Sequence, residues 1–304
     1  MINEEFYHAP GAPLDDRDYI IRATALNGHV SIFAIRTTNS VEEARKIHNL
    51  SPVVTAAFGR FISGSLMLAE NMKGEDDSQT ATIKCDGPIK GMTCVCDSKG
   101  HVRGYVVQNE VAAEYHRPGK LNVGAAVGKG MLTIIRDIGL REPYVGSVEL
   151  VSGEIAEDFT YYLASSEQTP SVVALGVGLN EGKVTEAGGM IVQLMPGATE
   201  EEISYVEKRV NGGFPDISFL LSEGLNPEKI VDMFMGDPDI CFLSGSEVSY
   251  KCNCSKSKMS RGLATLGKAD LAELASDDKG IDIECNFCNS TYHFDKAELE
   301  EFLK

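Results

Sequence analysis

The sequence predicts an α+β protein with a large N-terminal mixed α/β sheet domain, a helical linker region and a small C-terminal domain. Three observations predict it: strand-like and helical runs alternate up to about residue 235, a Gly-Asp-Pro break follows, and four cysteines cluster within residues 252–288. The predicted domains span 1–235, 236–251 and 252–304. A chain of 304 residues is long enough for about two domains with their own cores.

Strand patterns dominate the first 150 residues. Residues 19–25 and 30–36 are β-rich runs around Asn27-Gly28, a strong hairpin signal. Ser51-Pro52 is a helix start, with serine as N-cap and proline as the first helical residue. Further strand-like runs lie between 80 and 108, at 131–136 and at 144–150.

The rest of the large domain mixes both patterns. A helix is predicted over 154–166, because its apolar residues recur on one face. Residues 172–179 and 190–194 are two more strands. Thr199 and Glu202 form a capping box, and helical segments follow to about residue 235.

Composition excludes some classes of function. The hydrophobic content of 43% is typical of globular proteins, and no uninterrupted apolar run approaches the ~20 residues that span a bilayer. Acidic residues outnumber basic ones, 45 to 28, which gives a net charge of −17. A nucleic-acid-binding protein normally has a basic stripe. We therefore expect no membrane partner and no nucleic-acid partner.

The four C-terminal cysteines form two pairs, Cys252-x-Cys254 and Cys285-x-x-Cys288. Two closely spaced thiolate pairs can complete a tetrahedron around one zinc ion. Both flanks of the second pair alternate as short strands do, so this pair is expected in the turn of a hairpin. The sequence therefore predicts one Zn²⁺ per chain on these four sulfurs. Cys-x-Cys is a less common half-site, so the match to a generic zinc ribbon is imperfect.

Other interpretations of these cysteines remain. Four unrelated buried thiols are possible but would not explain two tight pairs. Two structural disulfides would need an oxidising compartment, whereas Met1–Glu5 begins with acids and lacks the apolar region of a secretion signal. We therefore expect a cytoplasmic protein with reduced thiolates. His293 could replace a cysteine as ligand, but packing on the hairpin is the preferred interpretation.

Two further groups of residues attract attention. Cys94-x-Cys96, with Cys85 nearby, could form a second metal site, but buried thiols without a metal are the favoured interpretation, because no partner pair is present.

The predicted linker is unusually apolar for a connection between domains. Its apolar residues and those just before it are Met233, Phe234, Met235, Ile240, Phe242 and Leu243.

In the middle of the chain, the segment Tyr162–Ser171 has the pattern Y-x-x-x-S-E-Q-x-P. This segment resembles the one found in the Hsp33 family of redox-regulated holdase chaperones. Other segments similar to the family are Arg117-Pro118, Gly128–Gly130, Asp137–Leu140, Pro143–Gly146, Ser152–Asp158 and Ala187–Gly189. The C-terminus has the family's C-x-C, long spacer, C-x-x-C pattern with the flank Tyr292–Phe294. Cys85, Cys94, Cys96 and Cys241 are not part of that pattern.

The resemblance implies a non-enzymatic function. A reduced, zinc-bound and idle protein would be activated by peroxide at elevated temperature or by hypochlorous acid. Oxidation would release zinc and form disulfides, the C-terminal domain and a metastable linker would unfold, and the protein, as a homodimer, would hold unfolding clients without ATP. Of three possible disulfide pairings, proximity favours Cys252–Cys254 and Cys285–Cys288.

We also predict that the six apolar residues in and before the linker become exposed and join, or reveal, the client surface. Two alternatives from other classes stay open. A thiol–disulfide oxidoreductase would use Cys285 and Cys288, but it leaves the Cys-x-Cys pair unexplained. A zinc-dependent nucleic-acid or protein adaptor agrees poorly with the acidic charge.

Overall fold

The computed structural model describes residues 16–117, 119–236 and 239–303. Its strands are β1 Tyr19–Ala25, β2 Val30–Arg36, β3 Ser78–Cys85, β4 Gly91–Asp97, β5 His101–Val106, β6 Tyr115–Arg117, β7 Lys120–Leu121, β8 Gly130–Asp137, β9 Tyr144–Glu149, β10 Ser171–Asn180, β11 Lys183–Leu194, β12 Cys241–Glu247, β13 Ser249–Tyr250, β14 Ile281–Glu284 and β15 Thr291–Phe294. Its helices are α1 Thr38–His48, α2 Pro52–Ala69, α3 Val123–Val127, α4 Ala156–Ser165, α5 Glu200–Asn211, α6 Ile217–Ser222, α7 Pro227–Met235, α8 Lys256–Leu263, α9 Lys268–Leu274 and α10 Lys296–Glu301.

The first large sheet has five antiparallel strands in the order β10-β11-β2-β1-β12. Its central strand β2 is buried at every residue because both faces are covered. Phe33 and Ile35 face the core that contains α1 and α2, whereas Ile32 and Ala34 face the core that contains α5, α6 and α7. A strand covered on both sides has no polar alternation, which explains its continuous apolar run.

The second large sheet has six strands in the order β13-β5-β4-β3-β8-β9. Its strands alternate between buried and more exposed residues, as expected for a sheet covered on one face. Helix α2 shares one hydrophobic core with residues of both sheets. By length and composition α2 could cross a membrane, but 89% of its apolar window is buried inside the protein. Its apolar character is therefore accounted for by a place between two sheets.

A glycine permits this packing of α2. A Cβ atom at Gly64 would overlap the ring of Phe159 on α4, and Phe159 stacks on Phe61 of α2 at 5.8 Å. We expect Gly64→Ala to destabilise the first unit by about 2 kcal/mol and to lower its Tm by about 4–8 °C. Calorimetry checks this. Gly262→Ala in α8 is the control, because no atom lies within 4 Å of its Cβ position; an equal loss in both variants would contradict the packing argument.

Residues 241–250 differ from the predicted helical linker. They form β12, which pairs antiparallel with β1, and β13, which pairs in parallel with β5. Helix α7 ends before them, with Gly236 in the left-handed conformation at its C-cap. The edge of β1 that does not face β2 has free backbone N–H and C=O groups, and residues 241–247 pair with them. This tertiary pairing makes residues 241–247 a strand. The linker residues Asp237 and Pro238 lie outside the described residues.

Contacts divide the chain into two compact units, residues 1–250 and 251–304. The α+β class with large sheets and a cysteine cluster near the C-terminus is confirmed. Strands β12 and β13 belong to the first unit. The metastability of this segment stays a prediction.

Candidate metal centre

The second unit is a small hairpin with three short helices. Strands β14 and β15 pair antiparallel, with Ile283 opposite Tyr292 and Ile281 opposite Phe294. Its buried apolar core consists of Leu263, Leu271, Ala275, Phe294 and Leu299. A core of this size supplies little of the free energy needed to order about fifty residues.

The Cys-x-x-Cys pair lies in the turn of this hairpin, as predicted. The Cys285 amide donates to the carbonyl of Ser290 at 2.9 Å, and the amides of Cys288 and Asn289 donate to the carbonyl of Cys285. Asn289 adopts the left-handed conformation with φ of 56°. This tight turn brings the sulfurs of Cys285 and Cys288 to one side, as half a metal site requires.

The Cys-x-Cys pair precedes helix α8. Ser255 is the N-cap of that helix, and its hydroxyl accepts a hydrogen bond from the amide of Lys258. Cys252 and Cys254 belong to no strand or helix, and both sulfurs lie in one cluster. Helix α8 therefore begins two residues after Cys254, the last cysteine of this half of the site.

The two halves meet. All four sulfurs lie within 4.8 Å of one another. The Cys254 and Cys288 sulfurs are 3.3 Å apart, and the Cys252 and Cys285 sulfurs are 3.8 Å apart. A zinc tetrahedron with Zn–S bonds of about 2.3 Å has sulfur–sulfur edges of about 3.8 Å, whereas a disulfide is about 2.05 Å long. The cysteines are free thiols whose spacing suits one tetrahedral metal ion.

The electrostatics of the cluster also suit a cation. Burial raises the pKa of the Cys252 and Cys285 thiols. Burial opposes ionisation of Cys288 too, but hydrogen bonds from the hydroxyl and amide of Ser290 outweigh it and hold the Cys288 pKa at about 7. A divalent ion is the largest local charge in such a site and converts coordinating thiols to thiolates. Four sulfur donors favour soft divalent metals.

Histidine 293 is not positioned as a ligand. Its Nδ1 atom lies 2.8 Å from a carboxylate oxygen of Asp282, directly across the hairpin, and both side chains are exposed. Tyr292, by contrast, places its hydroxyl 3.0 Å from the Cys254 sulfur. The sequence placed Tyr292 in a strand and in the flank that resembles the Hsp33 pattern, without a role at the cysteines. Its alternation with the buried Phe294 was the available signal for an inward position.

The six apolar residues predicted for client binding fall into two groups. Phe234 and Met235 are buried in the core beneath α7, and Ile240 and Phe242 pack against that core. Met233 and Leu243 point outward, with exposures of 39% and 40%. The structure therefore brings four of the six to one cluster and leaves two on the surface.

The remaining cysteines lie in the first unit. Cys94 and Cys96 are fully buried on the core face of β4, and burial raises the pKa of both thiols. Such thiols behave as small apolar residues and react slowly. Cys85 is half-buried and Cys241 is exposed.

Comparisons with known proteins agree with this architecture. The Hsp33 protein family matches residues 18–295. The chain is 46% identical over 287 residues to the 33 kDa chaperonin of Ruminiclostridium cellulolyticum, a match that covers 94% of this chain and 98% of that protein. It is 47% identical over 289 residues to the 33 kDa chaperonin of Clostridioides difficile, covering 95% and 99% respectively.

A solved structure has the same fold. The crystal structure of the 33 kDa chaperonin (heat shock protein 33 homologue) from Thermotoga maritima superposes with a TM-score of 0.85 at 34% identity, covering 94% of this chain and 98% of that one. Fold and site together define a two-unit α+β protein with a C-terminal four-cysteine centre of metal-binding geometry. The chain belongs to the Hsp33 family of chaperones.

Proposed function

We propose that this protein is a redox-regulated, ATP-independent holdase of the stress response. Cys252, Cys254, Cys285 and Cys288 bind one Zn²⁺ in the reduced, idle state, and oxidation of these cysteines activates client binding. The observation that carries the proposal is the convergence of four free thiols within 4.8 Å in a unit that has little other core.

Zinc holds the second unit together. Structural zinc sites contribute roughly 10–16 kcal/mol of binding free energy, which becomes folding free energy when the apo form is unfolded. The small core around Leu263 and Phe294 supplies far less. Loss of the four thiolate ligands therefore removes most of what keeps residues 251–303 folded.

Oxidation removes those ligands two at a time. A thiolate attacks the chlorine of hypochlorous acid, an S–Cl bond forms and hydroxide leaves; a second thiolate displaces chloride and the S–S bond forms. Formation of each disulfide thus transfers two electrons from two thiolates to one oxidant molecule. We propose the pairs Cys252–Cys254 and Cys285–Cys288. All sulfur–sulfur distances are below 4.8 Å, so the pairing depends on how the unit opens; peptide mapping with a dominant Cys254–Cys285 bridge would refute it.

The apolar surface to be exposed lies under α7. Phe234 and Met235 share one buried core with Tyr19, Ile21 and other residues of the five-stranded sheet. Residue 251, the first of the second unit, directly follows β13, so the β12–β13 segment connects to that unit through the main chain. We propose that α7 and this segment detach when the second unit unfolds and expose the client surface, which includes Met233, Phe234, Met235, Ile240, Phe242 and Leu243.

Polar contacts also hold α7 in place. The Tyr19 hydroxyl of β1 donates to the buried carboxylate of Glu228 at 2.8 Å. Arg209 of α5 donates to the carbonyls of Met233 and Phe234, and the Tyr205 hydroxyl donates to the carbonyl of Met235. These bonds satisfy carbonyls at the end of α7, and they would be exchanged for water when the helix detaches. Detachment thus requires exposure of apolar area and loss of these polar contacts, including the buried Tyr19–Glu228 hydrogen bond.

We propose that unfolding proteins are the partners and that the oxidised form is a homodimer. An exposed apolar patch of more than a few hundred Å² binds other proteins or aggregates. The net charge of −17 keeps such complexes dispersed and disfavours nucleic acid. In this proposal the protein acts in the cytoplasm, away from membranes, and catalyses no reaction.

The test is zinc content and suppression of aggregation of a thermally unfolding protein, before and after hypochlorous acid. We expect one zinc per chain before, zinc loss after, and holdase activity only after oxidation. Amide exchange across residues 233–236 and 239–250 should accelerate on oxidation. Catalytic turnover of insulin disulfides would indicate an oxidoreductase instead, and partner binding by the zinc-loaded form would indicate an adaptor.

A further inference from the structure

Backbone amides donate to three of the four sulfurs of the cysteine cluster. The Cys252 sulfur accepts from the amide of Cys254, and the Cys285 sulfur accepts from the amide of Phe287. The Cys288 sulfur accepts from the amide of Ser290 and lies 3.2 Å from the Ser290 hydroxyl. In each case the amide belongs to the residue two positions further along the chain.

Cys254 has a contact with a side-chain hydroxyl. Its sulfur lies 3.0 Å from the Tyr292 hydroxyl and 3.3 Å from the Cys288 sulfur. A thiolate sulfur carries no proton, so when Cys254 is a metal ligand the phenol is the donor and the sulfur the acceptor. The phenol thus supplies a hydrogen bond to the Cys254 thiolate.

The hairpin fixes this hydroxyl. Tyr292 lies on β15 opposite Ile283 and on the same face as the buried Phe294. Its ring packs against the small core of the second unit. A tyrosine has few rotatable bonds, so a ring held by packing holds its hydroxyl at a defined point. The donor is therefore placed by the fold before any metal binds.

We infer that Tyr292 is a positioning residue that sets how readily Cys254 reacts in the metal centre. This inference rests on the proposed function. A hydrogen bond draws electron density from the thiolate sulfur, which lowers its nucleophilicity and stabilises it as a ligand. With peroxide, the thiolate attacks one oxygen, the O–O bond breaks and hydroxide leaves; a second thiolate displaces hydroxide from the sulfenic acid and forms the S–S bond. The phenol slows the first of these steps at Cys254.

The variant Tyr292→Phe removes the donor and keeps the ring. We expect one zinc per chain at saturation, but about 10-fold weaker affinity in competition with a chelator. We expect zinc release by peroxide to be about 3- to 10-fold faster. Alkylation of the zinc-loaded protein, mapped by mass spectrometry, should accelerate selectively at Cys254.

The selectivity separates tuning from a structural role. Equal acceleration at all four cysteines would mean that the hairpin had merely loosened and would overturn the inference, as would unchanged alkylation at Cys254. Tyr161→Phe, which alters an exposed tyrosine of α4, is the matched control and should behave as wild type. Ser290→Ala should have a smaller effect than Tyr292→Phe, because the Ser290 amide still donates to Cys288.

A second substitution acts in the opposite direction. Site-specific 3-fluorotyrosine at position 292 keeps the ring and strengthens the donor, so alkylation of Cys254 should slow below wild type; no change or acceleration would overturn the inference even if Tyr292→Phe does not fold. If wild type holds zinc but oxidation does not activate it, the proposed switch fails while the alkylation pattern still decides the role of Tyr292. Wild type without zinc would overturn both.

Discussion

Cys285→Ser is expected to abolish zinc binding and to unfold residues 251–303 while the first unit stays folded. Cys285 is the most buried of the four cysteines, 3% exposed, and its backbone closes the hairpin turn. Three sulfurs with a hydroxyl form a far weaker site, so most of the roughly 10 kcal/mol from zinc is lost. Amide exchange by mass spectrometry and metal analysis measure both effects.

The matched control for this change is Cys241→Ser. Cys241 is an exposed cysteine of β12, outside the cluster, and its loss should leave zinc content unchanged. We further expect Cys285→Ser to suppress aggregation without any oxidant, because its second unit is already unfolded. Protected amides in residues 251–303 of Cys285→Ser would show that the small core folds without metal and would contradict the prediction.

Met235→Asp is expected to detach α7 and to give holdase activity in the reduced, zinc-bound protein. Met235 is 0% exposed and packs in the core between α7 and the five-stranded sheet. Replacing it by aspartate removes apolar packing and buries a carboxylate without a partner. With α7 still packed, this would destabilise the folded state by about 4 kcal/mol or more. Detachment of the helix relieves most of that penalty, so it is the expected response.

The neighbouring residue gives a control on the same helix. Met233 is 39% exposed, so Met233→Asp adds the same charge without burying it and should leave the reduced protein idle. Activity is measured as suppression of aggregation, and detachment as amide exchange of residues 227–235. Rapid amide exchange of α7 in Met235→Asp without holdase activity would show that release of the helix does not lead to client binding. It would contradict the proposal that α7 covers the client surface.

Local sequence patterns correctly predicted turns and helix starts, because the residues that determine these elements are close together in the chain. The Asn27-Gly28 hairpin forms, with Asn27 in the left-handed region, and Thr199 and Glu202 make the predicted capping box at α5. The four cysteines converge because each pair lies in one local feature, the hairpin turn or the residues just before helix α8. Only the meeting of the two pairs requires the fold.

Long-range pairing explains what the sequence did not reveal. Strand β12 forms because it meets β1, with Tyr19 opposite Glu247, and no local signal carries that contact. For the same reason the sequence did not separate the buried Met235 from the outward Met233. The contact between Tyr292 and Cys254 also joins residues far apart in the chain.

Residues 241–250 close the edges of two different sheets, since β12 borders β1 and β13 borders β5. If this segment departs on activation, β1 and β5 become edge strands at the same moment, each with a row of unpaired N–H and C=O groups. Slower amide exchange of β1 and β5 in client complexes than in oxidised protein alone would report strand addition there. Such pairing recognises main chain, which every unfolded protein offers, and so needs no shared sequence among clients.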